Sequence, residues 1–158
     1  MNDAMLKSKT RDIVVDEVFP HSPEAIWKTL TTGDLIGRWL MVPTGFAAVS
    51  GTRFTFQTKA AGAWDGVIRC EVLEVVPNER LVYAWKGGDS ANVGYGSQLD
   101  TTVTWTLSKV AGGTRLRLIH AGFVTPRNDS AYETMSNGWT QVVQTVGGIA
   151  AEQLGSSK

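Results

Sequence analysis

Cysteine and histidine are nearly missing from this chain: Cys70, His21 and His120 are all there are in 158 residues. One thiol excludes an internal disulfide and a cysteine-based zinc site. Two distant histidines, with no ligand spacing around either, leave no metal motif. Neither sign of charge is in surplus, since 15 Lys and Arg balance 15 Asp and Glu. A nucleic-acid binder needs a basic stripe to displace counterions from phosphates. A polybasic run that would seek anionic lipid is absent too. No stretch approaches the ~20 apolar residues of a membrane helix. The opening MNDAMLKSKT lacks the apolar centre of a signal peptide. No G-x-S-x-G, Walker loop or dinucleotide fingerprint occurs, and in GYGSQ (94–98) Leu99 stands where a third glycine would be.

These gaps set the expectations: a cytoplasmic protein with no metal, no cofactor, and neither nucleic acid nor membrane as partner. The sequon Asn128-Asp129-Ser130 is then read as chance. The length suits one domain with a core of its own, here taken as 11–154 between tails 1–10 and 155–158.

What is present is a change of period. RDIVVDEVF (11–19) reads as a first strand. Ser22 then caps a short helix that carries Pro23 at its first position, Glu24 near its positive end and Ile26, Trp27 and Leu30 on one side. Thr32 and Asp34 open a second short helix through Leu35, Ile36 and Trp39. From Gly45 to Gly122 the period is two. Strands are expected at 46–49, 52–58, 64–76, 80–85, 99–110 and 114–123, which makes seven with the first. Short turns at Ser50-Gly51, Ala61-Gly62, Pro77-Asn78 and Gly112-Gly113 favour antiparallel neighbours. KGGDSANVGYGSQ (86–98) is a long glycine-rich loop, of a length that is often functional.

Alternation places Phe54 and Phe56 on one face, with Leu81, Tyr83 and Trp85, with Val103, Trp105 and Leu107, and with Leu116, Leu118 and His120. Threonines and arginines occupy the other face, so one side is covered and one is wet. The cover is a helix from Ser130 to Leu154, opened by a Ser130–Glu133 capping box. Met135, Trp139, Val142, Val143, Val146, Ile149 and Ala150 form its stripe. Gly138, Gly147 and Gly148 interrupt it, each at a cost of up to ~1 kcal/mol against alanine. They are read as making space for close neighbours or for a cavity beneath. The sum is an α+β helix-grip fold, a curved antiparallel sheet of about seven strands around a long C-terminal helix.

FPHSPEAIWKTLTTGDLIGRWL, GTRFTF, CEVLEVVPNERLVYAW, GGTRLRLIHAGF and NGWTQVV follow in order over residues 12 to 153. Together they resemble the family of the C-terminal domain of the activator of the ninety-kilodalton heat-shock-protein ATPase, within the START and birch-pollen-allergen-like superfamily. The resemblance implies a cavity between sheet and helix, often suited to a hydrophobic ligand. Eukaryotic activators use a further N-terminal domain for the chaperone. Only ten residues precede strand one here, so a chaperone partner is not expected. A homodimer through an exposed strand is compatible with the pattern.

The expected function is therefore binding of a small, mostly hydrophobic molecule. Phe54, Phe56, Trp85, Trp105, Met135, Trp139 and Val143 are the candidate walls, and Tyr83, His120 and Asp65 the candidate orienters. His120 is turned toward the helix, where it either meets a ligand or satisfies a backbone carbonyl. Tyr83 either donates into the cavity or stands as wall. Cys70 shares a face with Ile68 and Val72 and reads as core. Arg38 and Asp65 either line an opening or sit in solvent. Two rival functions stand beside binding. One is a cyclase or dehydratase using His120 and Tyr83, and the other is a cochaperone-like interaction module using the open sheet face.

Overall fold

The computed structural model describes residues 10–156. The expected tails lie mostly outside these residues, although Thr10 already belongs to the first strand. The elements in order are β1 (Thr10–Phe19), α1 (Pro23–Thr31), α2 (Gly33–Trp39), β2 (Arg53–Gln57), β3 (Val67–Val76), β4 (Arg80–Gly87), β5 (Leu99–Val110), β6 (Gly113–Val124) and α3 (Asp129–Ser156). The strands form one antiparallel sheet in the order β1-β6-β5-β4-β3-β2. β1 crosses to β6, and the remaining strands run as a meander.

The sheet has six strands, not seven. The segment 46–49 does not pair, although Thr44 just before it bridges to Thr55. Left-handed glycines stand on either side, Gly45 with φ 84° and Gly51 with φ 92°. A tight turn from the Val49 amide to the Ala47 carbonyl (2.8 Å) consumes what length remains. Phe46 turns inward, edge-on to Phe54 at 5.0 Å between ring centres. The third strand begins at Val67 rather than 64, because Ala61 and Trp64 close a small turn on themselves.

The first helix is capped as expected: the Ser22 hydroxyl accepts from the Ala25 amide at 3.1 Å, with Pro23 at N1. α2 starts without a side-chain cap, since the Thr32 hydroxyl donates backwards to the Lys28 carbonyl at 2.7 Å. α3 begins at Asp129, so Ser130 lies inside its first turn and not at its cap. At 28 residues the helix runs for ~42 Å at 1.5 Å per residue. Register shifts at Arg11/Asp12 and Val72/Glu74 increase the local twist of the sheet.

α3 makes its principal backbone approaches to β1, β6, α1 and α2. Large aromatic side chains fill the wedge between the helix and the rest of the sheet. Trp105 meets Trp39 edge-on at 5.4 Å and Trp139 at 5.8 Å, and Trp85 meets Trp139 at 5.8 Å and Phe56 at 5.7 Å. Trp105, Val103, Leu116, Leu118, Val143 and Val146 are wholly buried. The middle of the molecule is thus solid, as close packing demands.

The three helix glycines have three different environments. A Cβ at Gly147 would overlap the ring of Phe19, so close approach of β1 requires its absence. A Cβ at Gly138 or at Gly148 would meet nothing within 4 Å. The outer face of the sheet is wet and carries cross-strand ion pairs. Asp16 pairs with Arg115 (3.0 Å) and Arg117 (3.1 Å), Arg80 with Glu74 (3.2 Å), and Lys86 with Asp100 (3.8 Å).

Candidate binding cleft

Space opens at one end of the fold, beneath the first half of α3, as a half-open cleft of about 270 Å³. The helix contributes Ala131, Thr134, Met135, Gly138, Trp139 and Val142. The sheet contributes Ile68, Trp85, Gly87 and Leu99. Leu40 and Met41, just past α2, close one side, and Thr58 and Trp64 from the β2–β3 connection close another. Gly88, Tyr95, Gly96 and Ser97 of the long loop complete the rim. Among the described residues, no Lys, Arg, His, Asp or Glu side chain lines it.

The rim loop is tied down at several points. Asn92 accepts from the Ala63 amide (3.0 Å) and donates to the Ala61 carbonyl (2.7 Å). The Tyr95 hydroxyl donates to the Lys59 carbonyl at 2.9 Å. At its far end the loop is held by Asn128, whose amide donates to Ser97 Oγ (3.0 Å) and the Gln98 carbonyl (2.9 Å) while its oxygen accepts from the Val124 amide (2.9 Å). Gly88, at φ +76°, lies so close to the Ser97 carbonyl that any side chain would collide with it. Gly94 and Gly96 share the left-handed backbone, at φ 77° and 83°.

Of the expected site residues, Trp85, Met135 and Trp139 line the cleft. Phe54, Phe56, Trp105 and Val143 are buried in the solid core beside it. Asp65 is exposed: it accepts from the Val67 amide at 3.0 Å and lies 3.7 Å from Arg69, which makes it a turn residue at the start of β3. Arg38 is exposed and does not line the cleft; its guanidinium grips Glu152 with two bonds of 2.8 Å and fastens α2 to the end of α3.

His120 sits inside the aromatic core with no exposure. Trp139 Nε1 lies 3.0 Å from its Nδ1, and Thr101 Oγ1 lies 2.7 Å from its Nε2. An indole N–H can only donate, so Nδ1 must accept and the neutral ring carries its proton on Nε2. That proton is donated to the Thr101 hydroxyl, whose own hydrogen goes to the Trp85 carbonyl at 2.7 Å. The result is a directed relay, Trp139 to His120 to Thr101 to Trp85. A second proton on the ring would face the indole donor and would be charged in an apolar interior. Burial accordingly lowers the His120 pKa to about 3.

Tyr83 is buried as well, and its hydroxyl accepts from Trp105 Nε1 at 3.1 Å. Burial drives its phenol upward, further from ionisation. The Cys70 thiol is buried and pushed up to about 12 by desolvation, which is the signature of a small hydrophobe and not of a nucleophile.

Sequence patterning overlooked Leu40, Met41, Thr58, Tyr95 and Leu99 as wall residues. Part of the signal was available. Ala131, Met135, Gly138 and Val142 recur at i, i+4, i+7 and i+11, a second stripe beside the one that packs into the core. Thr101 also alternates in phase with Val103 and Trp105, which places it on the inward face, where the structure pairs it with His120.

A second depression, of about 310 Å³, lies between Pro20–Glu24 and Lys109–Gly113. It is bordered by exposed Glu24 and Lys109, groups that water solvates well. Among the described residues no helix is long and apolar enough to cross a membrane. Among the same residues no group of three or more His, Cys, Asp or Glu could hold a metal ion.

Residues 20–146 match the family model described as activator of Hsp90 ATPase homolog 1-like protein. The chain is 34% identical to protein MLL2253 from Mesorhizobium loti, with a TM-score of 0.76 over 90% of this chain and 98% of that one. It is similar in fold to CalU16 from Micromonospora echinospora (22% identity, TM-score 0.67, 92% of this chain and 79% of that one). The Aha1 dimer from Colwellia psychrerythraea has the same fold (19% identity, TM-score 0.67, 87% and 93%). None of the curated proteins matches the sequence significantly.

Proposed function

Because the chain belongs to the family of activator of Hsp90 ATPase homolog 1-like proteins, we propose that it binds a small, mostly apolar molecule in the cleft under the first half of α3. The observation that carries this reading is the contrast within one interior. The core beside the cleft is filled by interlocked rings, whereas Leu40, Met41, Trp64, Trp85, Met135 and Trp139 surround about 270 Å³ that no side chain of the described residues fills. Apolar walls with few polar groups are the usual make-up of small-molecule sites, whose volumes start at ~300 Å³. The site therefore suits a ligand of one or two rings.

The test is saturable quenching of tryptophan emission by small neutral bicyclic compounds, in wild type and in Gly138→Leu. The leucine would project from an open position on the cleft wall and, in a helix, it replaces a residue that costs ~1 kcal/mol. Binding should weaken at least tenfold in a variant that remains folded. Absence of saturable quenching in wild type, up to the solubility limit of every compound, overturns the proposal.

The two rival readings have less to draw on. A cyclase or dehydratase needs His120 or Tyr83 to face a substrate, but neither lines the cleft and both histidine nitrogens are engaged. A cochaperone-like role rests on family membership and on the shared fold of the Colwellia protein. The wet sheet face that it would use carries paired charges, with Val14 and Val18 as its exposed apolar residues on β1. A homodimer is compatible with the main proposal, since the Colwellia protein is a dimer and β1 is an edge strand. Sedimentation velocity at micromolar concentration decides that point.

A further inference from the structure

An unfilled apolar space invites the nearest large side chain to turn into it, because every atom that faces a void forgoes contacts. Trp139 stands in that position, since it lines the cleft while being only 3% exposed. Edge-on contacts hold its indole to Trp85 and Trp105, each at 5.8 Å between ring centres. Apolar contacts of the same kind are on offer from the other walls of the cleft, among them Leu40, Met41 and Trp64. The contact that those walls do not match is a hydrogen bond, from Trp139 Nε1 to His120 Nδ1 at 3.0 Å.

That bond ties down both partners. His120 has no exposure, and among the described residues no second donor reaches its Nδ1. An indole swung into the half-open cleft could give its N–H to water. The lone pair on Nδ1 would then be stranded in an apolar interior, which is penalised. The bond also needs the right tautomer, and Thr101 sets it. The Thr101 hydroxyl donates its hydrogen to the Trp85 carbonyl at 2.7 Å, so toward Nε2, also at 2.7 Å, its oxygen can only accept. The ring proton is thereby kept on Nε2, and Nδ1 is left bare for the indole. Three elements meet in this device: Thr101 comes from β5, His120 from β6 and Trp139 from α3.

We infer that His120 and Thr101 are positioning residues of the cleft, which hold the Trp139 indole against the core and so keep the space beneath the first half of α3 open. The purpose of that space rests on the ligand-binding reading. The hold on the indole does not, and it is measurable without a ligand.

The experiment follows hydrogen exchange of the indole N–H groups in nitrogen-15-edited NMR spectra of the full chain, assigned by sequential connectivity. Trp105 serves as the internal control, because its N–H is equally deep and bonds to Tyr83 instead. A purely structural loss would speed exchange at both indoles alike. His120→Leu removes the acceptor, and exchange at Trp139 should rise roughly tenfold relative to Trp105. His120→Gln, which can accept from Trp139 and donate to Thr101, should restore the wild-type ratio. Tetralin, titrated on the same signals, should bind roughly tenfold more weakly to the leucine variant and within about threefold of wild type to the glutamine one. If His120→Leu does not fold, Thr101→Val decides the matter, with a rise of about threefold at Trp139 relative to Trp105. An unchanged ratio in whichever variant folds would overturn the inference. Faster exchange at Trp139 with tetralin affinity intact would overturn it too, since the cleft would then not need the hold. If tetralin fails to bind wild type, the failure counts against the binding reading, and the exchange ratio still decides whether His120 holds the indole.

Discussion

Acid should unfold this protein through His120, and the size of the effect follows from its surroundings. In the folded chain the ring is neutral, with both nitrogens engaged and a pKa lowered to about 3. In the unfolded chain it returns to ~6.5. Below pH 6.5 the unfolded state therefore binds a proton that the folded state refuses. Stability contributed by the neutral ring is complete above pH 6.5 and is lost progressively as the pH falls toward 3. Between pH 7 and pH 5 the loss is about 2 kcal/mol, at 1.36 kcal/mol per unit of separation. With a urea dependence of ~2 kcal/mol per molar, the midpoint should drop by about 1 M. Other groups also titrate in this range, so the measurement is a difference between wild type and His120→Gln. The amide can accept from Trp139 and donate to Thr101 without titrating. Wild type should lose about 2 kcal/mol more than the variant between pH 7 and pH 5. Parallel profiles for the two proteins, within ~0.5 kcal/mol, would refute both the neutral tautomer and the relay derived from it.

The glycines of α3 give a paired test by urea unfolding. Gly148→Ala should stabilise by up to ~1 kcal/mol, since its Cβ enters open space. Gly147→Ala should destabilise by ~1–2 kcal/mol, because overlap with the Phe19 ring outweighs the gain in helix propensity. Equal effects at the two positions would contradict the packing described for β1 against α3. Tyr83→Phe removes the acceptor of the fully buried Trp105 indole, and unfolding should register a loss of ~1–3 kcal/mol. A neutral result would mean that the phenol and indole are not paired in solution.

Most of the architecture was legible from sequence because two periods are written into it without conflict. Leu81, Tyr83 and Trp85 alternate as β4 requires, and all three are buried. Ser22 and Pro23 start α1 by local chemistry alone. Errors fell where tertiary geometry overrides pattern. The run 46–49 is apolar enough for a strand, yet two left-handed glycines close it into turns before it can pair. The first turn of α3 contains Ser130, but the chain enters the helix one residue earlier, from the buried Asn128.

The site was legible only in part, for a reason that lies in what alternation measures. A period of two says which side of a sheet a residue faces, not whether the space it faces is filled. Phe54, Phe56, Trp105 and Val143 face inward as expected, and they meet each other or the helix in a closed core. The cleft depends instead on where α3 leaves the sheet, and that is set by its approach to β1 and β6. Gly147 permits that approach at one end of the helix, and Gly138 borders the opening near the other. Two glycines that look alike in sequence thus act oppositely, one letting the helix descend and the other widening the gap. The candidate polar residues divide in the same way. His120 and Tyr83 spend their hydrogen bonds holding Trp139 and Trp105 in place. The Trp85 indole N–H, by contrast, is sealed in the core with no acceptor among the described residues. Hydrogen-bond bookkeeping, which needs every partner's position, was the step that sequence could not supply.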